Sequence, residues 1–149
     1  MIPLSEVCCS SVSATIGLAL QTASLESRRN GAPSEKKWIA PVMHLLYVLE
    51  VPRAMPINSL MVDEENKARA LLEEAERISV DAGVVPRTTV TRARDVGEGI
   101  VEQAAELGVE MIIMSLPAPN APGRDQADAV VTTLMHHARC EVLVKNWPL

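Results

Sequence analysis

The order of apolar and amphipathic segments from Val42 onward is the feature that most constrains the fold of this chain. Val42–Val51 (VMHLLYVLEV) is a near-continuous aliphatic run. It is too short for a membrane helix and is typical of a strand buried on both faces. Helical and strand patterns then alternate as far as Lys145. The order β, α, β, α, β, α, β predicts right-handed crossovers and a parallel sheet covered on both faces, which is a doubly wound α/β fold.

Capping residues and apolar spacing predict three helices after this strand. Asp63–Glu65 opens the first with acidic residues, which a helix N-terminus favours. Asp95 is a predicted cap for the second helix, and Gly108 stops it. Either Asp125 or Asp128 begins the third. The strands between and after these helices are predicted at Arg87–Arg92, Glu110–Met114 and Glu141–Lys145.

The first forty residues have a weaker pattern. Ile2–Leu4 is predicted as the tail of a first strand, and Ser11–Leu25 as a first helix, although Ser, Thr and Gly17 disfavour helix there. Neither an internal repeat nor a domain linker is visible, so we expect residues 1–149 to form one domain.

Composition and charge exclude several classes of partner. Only 2% of residues are aromatic and the net charge is -5, which opposes a nucleic acid partner because bases stack on aromatic rings and phosphates need basic residues.

The cysteines indicate the location of the protein. Their number is odd, with Cys8, Cys9 and Cys140, which indicates no secreted disulfide framework, so a cytoplasmic location is expected. Ser11–Ala23 lacks the basic region of a signal peptide and is too short to span a bilayer.

Candidate ligand-binding residues follow the predicted strands, because open parallel sheets bind ligands outside the carboxyl ends of their strands. These positions are Ser5–Glu6, Glu50–Arg53, Ala93–Asp95 and Ser115–Arg124.

Several sequence pieces, taken in order, resemble the universal stress protein family. They are HLLYVLEV, the Ala-Arg-Asp turn at 93–95 that leads into GEGIVEQAAELGVEMIIM, and the ending MHHARCEVLV. The resemblance covers essentially the whole chain and is strongest from Val42 to Val144. It implies a five-stranded parallel sheet of order 3-2-1-4-5, similar to adenine-nucleotide alpha-hydrolases. It also implies a homodimer through the last strand, Glu141–Lys145, and one branch of the family binds ATP.

The ATP-binding branch carries a glycine motif whose spacing survives here without its residues. The motif has Gly, two residues, Gly, nine residues, then Gly followed by Ser or Thr. Its frame falls on Ser115, Ala118, Asp128 and Ala129, so all four residue types have changed. ATP-binding members typically also have Asp at the end of the first strand, where this chain has Ser5 or Leu4. The chain therefore resembles the branch without an intact ATP motif.

Physical chemistry explains why these changes disfavour a triphosphate. A phosphate loop needs glycines and free backbone N–H groups, whereas Pro117, Pro119 and Pro122 stiffen this loop and remove donors. Asp128 places a carboxylate near the phosphate position, and two like charges ~4 Å apart repel by ~4 kcal/mol at an effective dielectric constant of about 20. Asp128 is predicted to be a helix N-cap, and Arg124 remains as one anion contact.

No metal or catalytic centre is predicted. His44, His136, His137 and Cys140 contain metal-ligating atoms, but the last three straddle a helix end and a strand start, where ligand geometry is poor. No serine–histidine–carboxylate order or paired catalytic carboxylates stand at the strand ends. The candidate pocket residues are Ser5, Val48, Val51, Arg94, Ser115, Ala118, Arg124, Asp128 and Ala129.

Two functions remain as expectations. The first is a non-catalytic, dimeric stress-response or regulatory domain without a cofactor, acting through protein contacts or an unidentified small ligand. The alternative is an AMP- or ATP-binding sensor with at most weak ATP hydrolysis. Domains of this family also occur appended to membrane transporters, so the resemblance is compatible with association with a transporter or another protein.

Overall fold

A computed structural model describes residues 16–21 and 42–146, and these residues confirm the α/β class. The described elements, in chain order, are β1 (Ile16–Gln21), β2 (Val42–Glu50), α1 (Val62–Asp81), β3 (Arg87–Ala93), α2 (Val96–Leu107), β4 (Met111–Leu116), α3 (Arg124–His137) and β5 (Glu141–Asn146). From β2 onward, strands and helices alternate as predicted.

The five strands form one sheet in the order β3-β2-β1-β4-β5. β2 runs parallel to β3, and β4 runs parallel to β5. β1 lies between the two pairs and is antiparallel to both β2 and β4. The prediction of an entirely parallel sheet is therefore wrong at β1.

The structure also corrects the predicted helix over Ser11–Leu25, because Ile16–Gln21 is a strand. Its sequence, IGLALQ, alternates large aliphatic residues with small or polar ones, which is the two-residue repeat of a strand. A strand at this position also pairs with backbone groups of both β2 and β4, which would otherwise need other partners. The rest of that predicted helix and the predicted strand Ile2–Leu4 lie outside the described residues.

β2 is buried on both faces, as its aliphatic run predicts, with every residue from Met43 to Leu49 buried. One face of β2 contributes Leu46 and Val48 to a core beneath α2 and α3, and the other contributes Leu45 and Tyr47 to a core beneath α1. The first core also contains Ile100, Ala104, Val109, Ile112, Met114, Val130 and Leu134, and the second also contains Met43, Leu49, Val51, Ala68 and Leu72. The sheet is thus a middle layer with helices on both faces.

The ends of α2 confirm the predicted capping residues. The Asp95 side chain accepts a hydrogen bond of 2.9 Å from the backbone N–H of Glu98. Gly108 ends the helix with a φ of 61°, in the left-handed region that favours glycine. The helix therefore starts directly after β3, at the sheet edge where ligands are expected.

α3 begins earlier than Asp125 or Asp128, at Arg124. The preceding residue is Gly123, whose φ of 82° turns the chain into the helix, and no side chain caps the helix. Asp128 lies in the second turn, so the prediction that it is an N-cap is wrong. A side chain at this position cannot be the N-cap, because the backbone N–H groups that follow it are already bonded to carbonyls of the preceding turn. Among the helices of the described ranges, none combines the length and apolarity needed to cross a bilayer.

Candidate functional site

The carboxyl ends of β2, β3, β4 and β5 meet at one edge of the sheet. β2 and β4 are both antiparallel to β1 and so run in the same direction, and β3 and β5 are parallel to them. The segments that leave this edge are 51–61 after β2, 94–95 after β3 and 117–123 after β4. The topology therefore brings three of the four predicted ligand-binding stretches together, and Ser5–Glu6 lies outside the described residues.

Arg124 is the cation closest to the start of α3, and its guanidinium is engaged within the chain. Its Nε lies 3.0 Å from each carboxylate oxygen of Asp128, one helical turn further on. Its Nη1 donates to the carbonyl oxygen of Pro117 at 2.7 Å and reaches Oδ1 of Asn146 at 3.4 Å. Arg124 thus ties the loop after β4 to the first turns of α3 and to the end of β5.

This arrangement limits how far the Arg124 guanidinium is available to bind an anion. The Arg124 side chain is only 20% exposed, whereas Asp128 is 50% exposed. A phosphate approaching the guanidinium would have to compete with the Asp128 carboxylate and would meet its negative charge. Arg124 and Asp128, both predicted as pocket residues, lie in contact, and their interaction is an ion pair rather than an anion contact beside a helix cap.

Arg94, the first residue after β3, holds the loop that follows β2. Its Nη1 donates to the carbonyl oxygen of Val51 at 3.1 Å and to that of Pro52 at 2.5 Å. The backbone N–H of Val51 in turn donates to the carbonyl oxygen of Ala93 at 2.8 Å. Arg94 therefore anchors the backbone of the loop after β2 by hydrogen bonds to its first carbonyl groups.

An open cavity of about 410 Å³ lies at the start of α3 and is lined by residues 119–126. This volume falls within the range of small-molecule sites, roughly 300–1,000 Å³, so size does not exclude a ligand. Its chemistry disfavours a phosphate group, because Pro119 and Pro122 supply no backbone donors and Asp125 adds a carboxylate.

The remaining predicted pocket residues have diverse surroundings. Val48 and Val51 are at most 1% exposed and belong to opposite cores, and neither lines the cavity at the start of α3. Ser115 and Ala118 are half-buried, on β4 and in the loop after it, and Ala129 is exposed on α3. Ser5 lies outside the described residues.

Asn146 and the carbonyl of Pro117 are hydrogen-bond partners of Arg124 at this edge that sequence reasoning missed. Asn146 pairs in register with Leu116 at the ends of β5 and β4. The rule that places ligand groups after strand ends would have found Asn146 if it had been applied to the last strand, which was predicted to end at Lys145. The Pro117 carbonyl carries no side-chain signal, so sequence alone gives no way to find it.

The histidines and the cysteine weighed as metal ligands lie in different environments. His44 is buried on β2, whereas His136 and His137 are exposed at the end of α3, with ring centroids 6.4 Å apart. Cys140 is half-buried, and burial raises the pKa of its thiol. The described part of the chain contains no group of three or more residues placed to hold a metal ion.

Fold and edge together define an α/β domain whose candidate site lies at the carboxyl ends of its parallel strands. The universal stress protein family model matches residues 36–145, and the chain belongs to that family. No curated protein and no solved structure matches the chain.

Proposed function

We propose that this chain is a non-catalytic, dimeric universal stress protein domain of the cytoplasm that does not use ATP. In this proposal it acts in a stress response or in regulation, through protein contacts or an unidentified small ligand. The observation that carries it is the ion pair between Arg124 and Asp128, because the cation nearest the start of α3 is already neutralised.

The loop before α3 supports the same conclusion independently. None of the four positions of the family's glycine motif holds glycine, since the residues are Ser115, Ala118, Asp128 and Ala129. The loop carbonyl that Arg124 binds belongs to Pro117, so the loop is held by an internal contact rather than left open for a phosphate.

Titration calorimetry tests the proposal directly. The full chain is purified without nucleotide and titrated with magnesium-ATP and, separately, with AMP. We expect no heat of binding for either. Micromolar affinity for either nucleotide would contradict the proposal, and a measurable ATPase rate in the same sample would contradict its non-catalytic part.

The alternative function is an AMP- or ATP-binding sensor, and the cavity of about 410 Å³ beside Arg124 is the observation that favours it. Asp128→Asn separates the two functions, because it removes the carboxylate charge and keeps the shape of the side chain. A sensor would bind nucleotide as the wild type and more tightly as Asp128→Asn. In our leading proposal the wild type binds none.

The proposed dimer rests on β5, which has one described neighbour, β4. Leu143 in the middle of β5 is 52% exposed, although it lies in a strand. A second copy paired along this edge would cover the apolar side chain of Leu143 and the side of β5 that faces away from β4.

A further inference from the structure

β5 carries three exposed side chains along one face of the sheet. Glu141, Leu143 and Lys145 are exposed, and they alternate with Val142 and Val144, which are half-buried. Successive side chains of a strand point to opposite faces, so the three exposed side chains share one face and the two valines share the other, where they pack on the core beneath α2 and α3. We call Glu141, Leu143 and Lys145 the exposed row. It presents an acidic, an apolar and a basic side chain in that order.

The exposed row is complementary to itself when a second copy runs in the opposite direction. Two copies related by a two-fold axis pair their edge strands antiparallel. With Leu143 on this axis, it lies opposite the partner's Leu143, and Glu141 lies opposite the partner's Lys145. On the other face, Val142 lies opposite the partner's Val144. Each cross-strand pair is therefore apolar or joins opposite charges, and both kinds of pair stabilise neighbouring strands.

Other antiparallel registers lose this match. Moving the partner strand by two residues keeps the same faces together but places Leu143 opposite the partner's Lys145 or the partner's Glu141. Moving it by one residue turns the partner over, because side chains alternate with a period of two. The exposed row would then share a face with the partner's Val142 and the partner's Val144, which pack on the core of their own chain. The charge pattern thus favours the register centred on Leu143.

β3, which forms the other edge of the described sheet, lacks this self-complementarity. Its sequence, RTTVTRA, carries Arg87 and Arg92 and no acidic side chain. Two β3 strands therefore cannot join opposite charges in any register. Of the two edges, the charges favour β5 as the one that a second copy covers.

We propose that two copies of this chain pair antiparallel along β5 in the register centred on Leu143, with a Glu141–Lys145 pair on each side of the Leu143–Leu143 contact. This pairing rests on the dimer of the proposed function and adds what selects the partner. An aliphatic edge strand with a different order of charges would place like charges together or a charge opposite Leu143. The exposed row therefore favours a second copy of this chain over edge strands of other proteins.

Charge reversal tests the register in the full chain. Glu141→Lys places two pairs of lysines in its own dimer, and Lys145→Glu places two pairs of glutamates there. We expect the dissociation constant of each variant's dimer to rise roughly tenfold in sedimentation equilibrium at low ionic strength, because like charges directly opposite each other destabilise strand pairing. An equimolar mixture of the two variants restores both opposite-charge pairs in a heterodimer, so its dissociation constant should return to the wild-type value.

Two control variants separate this effect from net charge. Glu102→Lys and Arg69→Glu, at exposed positions of α2 and α1, change the net charge by the same amounts as the two reversals on β5. Both should keep the wild-type dissociation constant.

Disulfide formation reports the register without relying on affinity. Leu143→Cys, in a chain with Cys8→Ser, Cys9→Ser and Cys140→Ala, should give a covalent dimer on oxidation, because directly opposite residues have Cα atoms about 4.5–5.5 Å apart. Lys145→Cys in the same background should not, since its two thiols would lie four residues apart along the strands, about 13 Å.

The outcomes distinguish this register from the dimer itself. A wild-type monomer overturns both. A wild-type dimer overturns the register alone if Leu143→Cys forms no covalent dimer, or if mixing the two charge-reversed variants does not restore affinity.

Discussion

His44 is a buried ionisable side chain whose imidazole Nε2 has no hydrogen-bond partner among the residues that the structure describes. It is 4% exposed on β2 and pairs in register with Arg87 of β3. Burial, and secondarily the positive charge of Arg87, lower its pKa below the ordinary value of 6.5. The folded state therefore favours the neutral imidazole.

The lowered pKa of His44 predicts that stability falls as the solution becomes acidic. Between the folded pKa and 6.5 the unfolded chain binds more protons, so the free energy of unfolding rises with pH in that window. We expect a lower urea midpoint at about pH 5 than at about pH 7.5. His44→Leu, which cannot titrate, should show a smaller difference, and an equal difference in the two proteins would contradict the assignment.

Asp128 and Ala129 allow a residue-scale test of the candidate site. Asp128→Gly with Ala129→Ser restores the last two residues of the glycine motif and releases Arg124 from its ion pair. We still expect no ATP binding by calorimetry, because Pro117, Pro119 and Pro122 continue to stiffen the loop and to withhold donors. Binding by this double variant would show that the proline loop is not a barrier.

At the scale of elements, α2 packs closely on the sheet at its first turn. A Cβ added at Gly99 would lie 2.7 Å from Cβ of Ala93 and 2.9 Å from Cγ1 of Val48, both shorter than normal contacts. A Cβ at Gly97 would meet Cβ of Thr133 on α3 at 2.7 Å. These two glycines let α2 approach both the sheet and the neighbouring helix.

Gly99→Ala separates packing from helix propensity, since the two act in opposite directions. Propensity alone would stabilise the helix by about 1 kcal/mol. Overpacking of a close contact costs about 1–3 kcal/mol, so we expect a net loss of stability in urea denaturation. Ala105→Gly, at an exposed position of the same helix, should lose about 1 kcal/mol through propensity alone. A Gly99→Ala protein more stable than wild type would mean that α2 shifts freely.

Sequence patterns predicted the elements that are fixed by local signals. β2 was found from an uninterrupted apolar run, and α2 was found at both ends because Asp95 and Gly108 act locally. β1 was missed because its alternating pattern covers only six residues and its Leu and Ala residues have high helix propensity, so pairing with β2 and β4 decides its structure. Of the two predicted starts of α3, Asp125 lies one residue from the observed start at Arg124, whereas Asp128 lies in the second turn, because Gly123 with its positive φ already leads the chain into the helix.

For the candidate site, the sequence predicted the positions of the charged side chains along the chain, but not the atoms that they contact. Arg94 follows β3 and Arg124 follows the loop after β4, as the predicted strand ends indicate. Their partners are backbone carbonyls of Val51, Pro52 and Pro117, which no residue pattern reports. Asp128 was predicted as a pocket residue and as the N-cap of α3. Because α3 begins at Arg124, Asp128 lies inside the helix and forms an ion pair with Arg124 instead.

At the scale of the whole molecule, the proposed dimer through β5 predicts a concentration-dependent mass. We expect sedimentation at micromolar concentration to give a dimer for the wild type and a monomer for Leu143→Glu, because a carboxylate in a strand-to-strand interface would lose its water. Val85→Glu, at an exposed position next to β3 at the opposite edge of the sheet, is the matched control and should remain dimeric. If the wild type sedimented as a monomer at this concentration, the dimeric part of the proposed function would be contradicted.

The central position of β1, between the two parallel strand pairs, also determines how the sheet can open. Within the described sheet, β1 is the only strand that links the β2–β3 pair to the β4–β5 pair by hydrogen bonds. The two halves remain connected through α2, which contacts β2, β3 and α3. If β1 leaves, amide protons along the inner edges of β2 and β4 become open to exchange with solvent in the same event, while the helix layer keeps the halves together. The centre of this sheet, normally its best protected part, is therefore where a single six-residue strand controls access to two neighbours at once.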